Sequence, residues 1–255
     1  MLFRSITTAA QALNVPVILQ VGGIETNFAG GYDKIYKLAN IAAAEVDIPV
    51  ALHYDHGETF EELKAALEAG FTSLMIDASQ QPFDKNVELT KKVVELAKPH
   101  GVTVEAELGI LAGIEGNISK SIAESMQTKP KEAKEFVNAT NVDALAIAIG
   151  TVHGFYNFIP EINIKRLKEI KEVIETPLVL HGGSGTPEDK IKEAISNGIT
   201  KVNICTEFVA AFGKTYTALQ QKEGFKYSVP NLFGPAKKAG YDLVYSKIAL
   251  FKNEK

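Results

Sequence analysis

The 255 residues suffice for one large domain with a sizeable core, and 45% hydrophobic against 23% charged residues is ordinary for a soluble globular chain. A net charge of −4 without a long basic run argues against nucleic acid as the main partner, and no apolar stretch approaches the ~18 residues that cross a bilayer. The single cysteine, Cys205, allows no internal disulfide, fits a reducing, cytoplasmic setting and reads as an inert buried thiol.

The chain opens on a helix predicted at residues 4–13. The run Pro16–Val21 predicts a strand, followed by a glycine-marked loop from Gly22–Gly23 to Gly30–Gly31. A helix at 33–46 precedes a strand at 49–54. Phe60, Leu63 and Leu67, with Glu and Lys between them, make an amphipathic helix over 58–69, and Gly70 stops it. Next come a strand at 72–77, a helix at 84–98, a strand at 102–108 and a loop from 109 to about 125. A helix at 130–139, a strand at 144–149 and a helix at 164–174 lead to a strand at 178–181. That strand runs into Gly182-Gly183-Ser184-Gly185 and a helix at 187–196, with Thr186 as N-cap and Pro187 in the first turn. A strand at 201–204 and helices at 206–222 and 234–251 complete the chain.

Strict alternation of helices with continuous apolar strands predicts a parallel sheet covered by helices, in one domain over residues 1–255. The length matches a (βα)8 barrel of the TIM type, yet only seven strands are counted, so the barrel is expected without its first strand. A doubly wound sheet is the competing architecture. Its Gly-x-Gly-x-x-Gly turn after an early strand is absent.

Four of the five histidines, His53, His56, His153 and His181, sit at strand ends just before glycine or one turn from it; the fifth, His100, lies in a helix-to-strand turn. A parallel barrel points its strand ends to one face. There Asp55, His56, Asp77, Glu107, His153 and His181 would gather, with Asn203 and Thr206 after the last strand. Three imidazoles around one point make a zinc shell with an open position, and Asp55 beside it is a proton donor or acceptor. His53 points to the face opposite His56 if its strand stays regular, and so belongs to packing. The glycine turn 182–185 and the run Asn203-Ile204-Cys205-Thr206 end the last two βα units, where barrel phosphate sites form.

Five ordered motifs then carry a family resemblance: His53-Tyr54-Asp55-His56-Gly57, Val104-Glu105-Ala106-Glu107-Leu108-Gly109, Ile149-Gly150-Thr151-Val152-His153-Gly154, Leu180-His181-Gly182-Gly183-Ser184-Gly185 and Lys201-Val202-Asn203-Ile204-Cys205-Thr206-Glu207. Phe233-Gly234-Pro235-Ala236 also matches. The chain resembles the class II, zinc-dependent ketose-bisphosphate aldolases, which include fructose- and tagatose-bisphosphate aldolases. The resemblance implies reversible cleavage of a ketose 1,6-bisphosphate to dihydroxyacetone phosphate and an aldehyde phosphate, with fructose bisphosphate favoured over tagatose bisphosphate.

It implies His56, His153 and His181 as ligands of zinc or another divalent cation. Asp77 and Glu107 would line that site, Glu107 as an alternative ligand, and a monovalent cation is a further candidate cofactor. Asp55 would be the acid–base residue, and Glu115, on a mobile loop, would move the ketose proton. Gly154, Gly182, Gly183, Ser184, Asn203, Ile204, Cys205 and Thr206 would hold dihydroxyacetone phosphate, and the chain would form a homodimer or homotetramer. The family usually carries one more strand at its start, which agrees with the seven counted here. Two alternatives stay open: a relative that holds metal and sugar phosphate without turnover, and another zinc-dependent barrel enzyme.

Overall fold

The computed structural model describes residues 2–109, 126–151, 154, 160–222 and 224–252. Among them the strands are β1 (Val17–Val21), β2 (Val50–Gly57), β3 (Ser73–Ile76), β4 (Thr103–Leu108), β5 (Ala144–Ile147), β6 (Leu178–Leu180) and β7 (Ile199–Val202). They form one seven-stranded sheet in chain order, each pair parallel. The helices are α1 (Leu2–Ala12), α2 (Gly23–Ala29), α3 (Tyr32–Ala43), α4 (Phe60–Ala69), α5 (Phe83–Ala97), α6 (Pro130–Thr140), α7 (Ile164–Lys171), α8 (Glu188–Ser196), α9 (Thr206–Gln220) and α10 (Val229–Lys252). None of the described helices is long and apolar enough to cross a membrane.

The inner strands β3, β5 and β6 are almost continuously apolar because both of their faces are covered. One face meets the helices: Leu19, Leu52, Leu74, Val104, Leu145 and Leu178 pack with Leu63, Phe136, Leu167 and Ile191 in the main core. The other face is inward, where Met75, Ala146 and Val179 form a small second core. The sheet is curled. Asn203 follows β7 and Asp55 lies on β2, about 24 Å apart in a flat sheet of ~4.8 Å strand spacing. Their side chains meet at 3.3 Å. This is the seven-stranded (βα) barrel-type sheet expected from the sequence. β1 and β7 are its edges, and no ladder joins them among the described residues. Outside that seam α1 packs on α10, and Ser5 Oγ donates to the Lys237 carbonyl at 3.1 Å.

Several local expectations change. The run after β1 is not a loop: residues 23–29 are the helix α2, because Glu25 folds back to accept the Gly22 N–H at 3.1 Å and caps the first turn. Thr186 is not an N-cap. Its hydroxyl donates back to the Gly182 carbonyl at 3.2 Å, and Pro187 takes the cap position of α8. The last helix begins at Val229 rather than 234 and runs through Pro235. The last strand sits earlier than expected, at 199–202, which leaves Asn203 and Ile204 in the turn beyond it.

Gly70 does stop α4, with φ +104, and a Cβ there would stand 2.6 Å from the Tyr36 ring. Strain and clash act together, so Gly70→Ala is expected to lower stability by about 1–3 kcal/mol. The check is urea unfolding, in which the midpoint falls while the slope is unchanged.

Candidate functional site

The site begins with an irregularity in β2. Its register against β3 slips between Tyr54 and Gly57, and His56 takes φ +51, a left-handed conformation rare for a residue with a Cβ. In a regular strand Asp55 and His56 would face opposite ways. The slip turns His56 back to the side of Asp55, and ligand atoms of Asp55, His56 and His181 all lie within 4.8 Å of one another. The regular-strand reading of His53 is corrected by the same geometry. His53 shares the inward face with Asp55; its Nε2 is 3.6 Å from Asp55 and 3.9 Å from Glu105, and its Nδ1 meets Ser73 Oγ at 2.8 Å.

Two carboxylates orient two imidazoles. His56 Nδ1 lies 2.8 Å from Asp77 Oδ2, and His181 Nε2 lies 2.9 Å from Glu105 Oε1. An ionised carboxylate only accepts, so both ring nitrogens carry hydrogens. The remaining nitrogens, His56 Nε2 and His181 Nδ1, then face each other at 3.0 Å. Without a proton or a cation between them, two lone pairs would collide there. Burial opposes charge on His56, but the hydrogen bond to Asp77 and the charges of Asp55 and Glu107 outweigh it and raise its pKa to about 9. Burial lowers that of His181 despite the Glu105 hydrogen bond. The shared proton therefore resides on His56.

The acids divide by environment. Burial works against Asp55, yet the His53 ring 3.6 Å away and the charges of His181 and His56 hold it well below the usual carboxylate range. Asp77, partly desolvated, is brought to about 2 by His56 and Ser79. Glu105, also opposed by burial, is brought to about 2 by the Lys201 charge and the His181 hydrogen bond. Glu107 moves the other way, to about 8, through burial and the like charge of Asp77. Among the described residues its buried Oε2 has no hydrogen-bond partner. It forms a second cluster with His56 and Asp77, whose ligand atoms also lie within 4.8 Å of one another.

These observations fit a divalent cation: two imidazole nitrogens already converge, a carboxylate adjoins them, and each ring is held from behind by an acid. Asn203 completes the rim, its Nδ2 donating to Asp55 Oδ1 at 3.3 Å.

Beside this cluster the two terminal turns are joined. The Gly183 N–H donates to the Asn203 carbonyl at 3.2 Å, and a Cβ at Gly183 would stand 2.9 Å from that oxygen. Ser184 is buried and its Oγ accepts the Glu207 N–H at 3.2 Å. Gly182 and Gly154 both have positive φ, 69° and 95°. Ile204 packs against Gly183, and Thr206 opens α9. Cys205 is exposed, not buried, and its thiol pKa is raised by partial desolvation and by the charges of Glu25 and Asp55.

The structure thus brings together Asp55, His56, Asp77, Glu107, His181 and Asn203, and sets the glycine turns beside them. His153 and Glu115 lie outside the described residues. Glu105, Lys201 and the inward His53 were missed. The signal for Glu105 was present, since Glu105 and Glu107 are two residues apart on one strand and must share a face.

A sequence model of the family described as Fructose-bisphosphate aldolase class-II matches residues 2–255. The chain belongs to the class II fructose-bisphosphate aldolase family. A fructose-bisphosphate aldolase of Geobacillus stearothermophilus is 40% identical over 251 residues, covering 97% of this chain and 86% of the relative. One from Staphylococcus epidermidis is 41% identical over 251 residues, covering 97% and 87%. Among solved structures, the YdjI aldolase from Escherichia coli K12 superposes with a TM-score of 0.85 at 33% identity, over 98% of this chain and 87% of that one. The fold of this aldolase-family chain is accordingly the family's TIM-type barrel, with seven strands in the described residues.

Proposed function

We propose that the chain catalyses metal-dependent, reversible aldol cleavage of a ketose 1,6-bisphosphate, releasing dihydroxyacetone phosphate and an aldehyde phosphate. The observation that carries this is the pair of imidazole nitrogens converging at 3.0 Å beside the ionised Asp55. His56 and His181 would hold the ion, with His153 as third ligand and Glu107 as an alternative. A bound divalent cation supplies Lewis-acid stabilisation of the negative charge left on the three-carbon ketose phosphate. Zinc suits the imidazole set.

The chain's own residues supply the rest. Asp55, held by Asn203, takes the hydroxyl proton as the carbon–carbon bond breaks and returns it in condensation. Glu115 delivers a proton to the carbon that carried the departing aldehyde. The joined turns of Gly182–Ser184 and Asn203–Thr206, with Gly154, anchor the phosphate through N–H groups and hold the reacting carbon in place. The names of the two curated relatives support fructose bisphosphate ahead of tagatose bisphosphate.

The test is a cleavage assay with fructose and tagatose bisphosphates after exhaustive chelation and after restoring Zn²⁺. Activity lost with chelator and recovered with Zn²⁺, fructose bisphosphate leading, is the expected result. A purified chain that binds no divalent ion would end the proposal.

A further inference from the structure

The candidate ligand His181 is nearly fully buried, and its far nitrogen meets the Asn203 amide at 3.2 Å and, closer, a carboxylate that has a second partner. Glu105 Oε1 lies 2.9 Å from His181 Nε2, and Glu105 Oε2 lies 2.9 Å from Lys201 Nζ. Side-chain exposures are 1% for His181, 3% for Glu105 and 14% for Lys201. Glu105 and Lys201 lie on β4 and β7 and His181 directly follows β6, so the ion pair crosses the inside of the curled sheet rather than joining neighbouring strands.

We propose that Glu105 and Lys201 are positioning residues for the candidate metal centre: Lys201 fixes which carboxylate oxygen faces which partner, and Glu105 thereby holds His181 in the tautomer that turns an Nδ1 lone pair toward the ion. The proposal rests on the metal reading above and deepens it. An imidazole buried without an acceptor at Nε2 would be free to carry its proton on Nδ1, where it blocks coordination. A carboxylate placed there removes that choice. A lone buried carboxylate would in turn be costly, and the Lys201 ammonium offsets its charge. Lys201 also stands two residues before Asn203, on the same inward side, so one strand end supplies both the neutralising cation and the amide that holds Asp55.

The substitution Glu105→Gln separates this role from simple packing. Lys201 keeps the amide oxygen, which leaves the amide NH₂ facing His181 Nε2. That donor favours an unprotonated Nε2, so the His181 proton moves to Nδ1, and His56 Nε2, 3.0 Å away, gives up its own proton to accept it. Two readouts follow. In the metal-free chain, ¹⁵N NMR of the histidine side chains shows the Nε2–H form of His181 in the wild type and the Nδ1–H form in E105Q. In Zn²⁺ titrations E105Q binds about 10–100-fold more weakly. Adding Lys201→Met frees the Gln oxygen to turn toward His181, so the double variant regains affinity over E105Q, which a packing role does not predict.

An Nδ1–H tautomer in the wild type overturns the proposal without any variant. So does an E105Q chain whose Zn²⁺ affinity matches the wild type. A wild type that binds no divalent ion overturns the metal reading itself, and this proposal with it.

Discussion

Replacing Asp55 with Asn lowers the rate of ketose-bisphosphate cleavage by about 10²–10⁴-fold while the chain retains its divalent ion. Asn keeps the shape of the side chain and its contact with the Asn203 amide, but it cannot accept the hydroxyl proton. In the native site Asp55 is held ionised by His53, His181 and His56 against the cost of burial, so it is poised as a base in the cleavage direction. The proton removed from the carbon of dihydroxyacetone phosphate is assigned to a different residue, Glu115. D55N is therefore expected to go on exchanging that carbon proton with solvent even though cleavage fails. Single-turnover cleavage, solvent exchange and Zn²⁺ titration on the same sample read the three properties apart. Loss of the ion together with activity would make Asp55 a ligand instead, as its place in the cluster with His56 and His181 permits.

The second large effect is on metal affinity. Between pH 7 and pH 9 it is expected to rise about tenfold per unit, some 100-fold in all, because one proton leaves for each ion bound. His56 is raised from 6.5 to about 9 in the metal-free chain, and its Nε2 faces His181 Nδ1 across the gap the ion would fill. Between pH 6.5 and 9 the folded metal-free chain thus holds a proton that the unfolded chain has already released. That proton stabilises the metal-free fold fully below pH 6.5, and its contribution disappears as pH climbs through about 9. Metal-free stability and metal affinity consequently change in opposite directions over the same interval. Calorimetric titrations in two buffers of different ionisation enthalpy count the protons released. A flat affinity profile would remove His56 from the ligand set. A slope near two below pH 8 would add Glu107, which must also give up a proton at about 8 to bind.

Much of this was legible in the primary sequence, for a definite reason. Strands buried on both faces need unbroken runs of Val, Ile, Leu and Ala, and the chain must stop them with glycine or polar residues. All seven strands and the common rim of Asp55, Asp77, Glu107 and His181 could be read from those runs. Local helix chemistry was less legible, because one side-chain bond can decide it. Glu25 reaching back to Gly22 makes a helix of a segment whose glycines suggest a loop.

What only the tertiary structure decided depends on curvature and register. A period of two assigns His56 to the face away from Asp55, and the slip at the end of β2 reverses that assignment. The contact of Lys201 with Glu105 joins residues 96 positions apart on strands that are not neighbours, and only the closing curl of the sheet makes it possible. Sequence pattern determines which residues a strand can present, since alternation and burial are local. Where those side chains meet is set by how the whole sheet bends, a property that no single stretch of residues encodes.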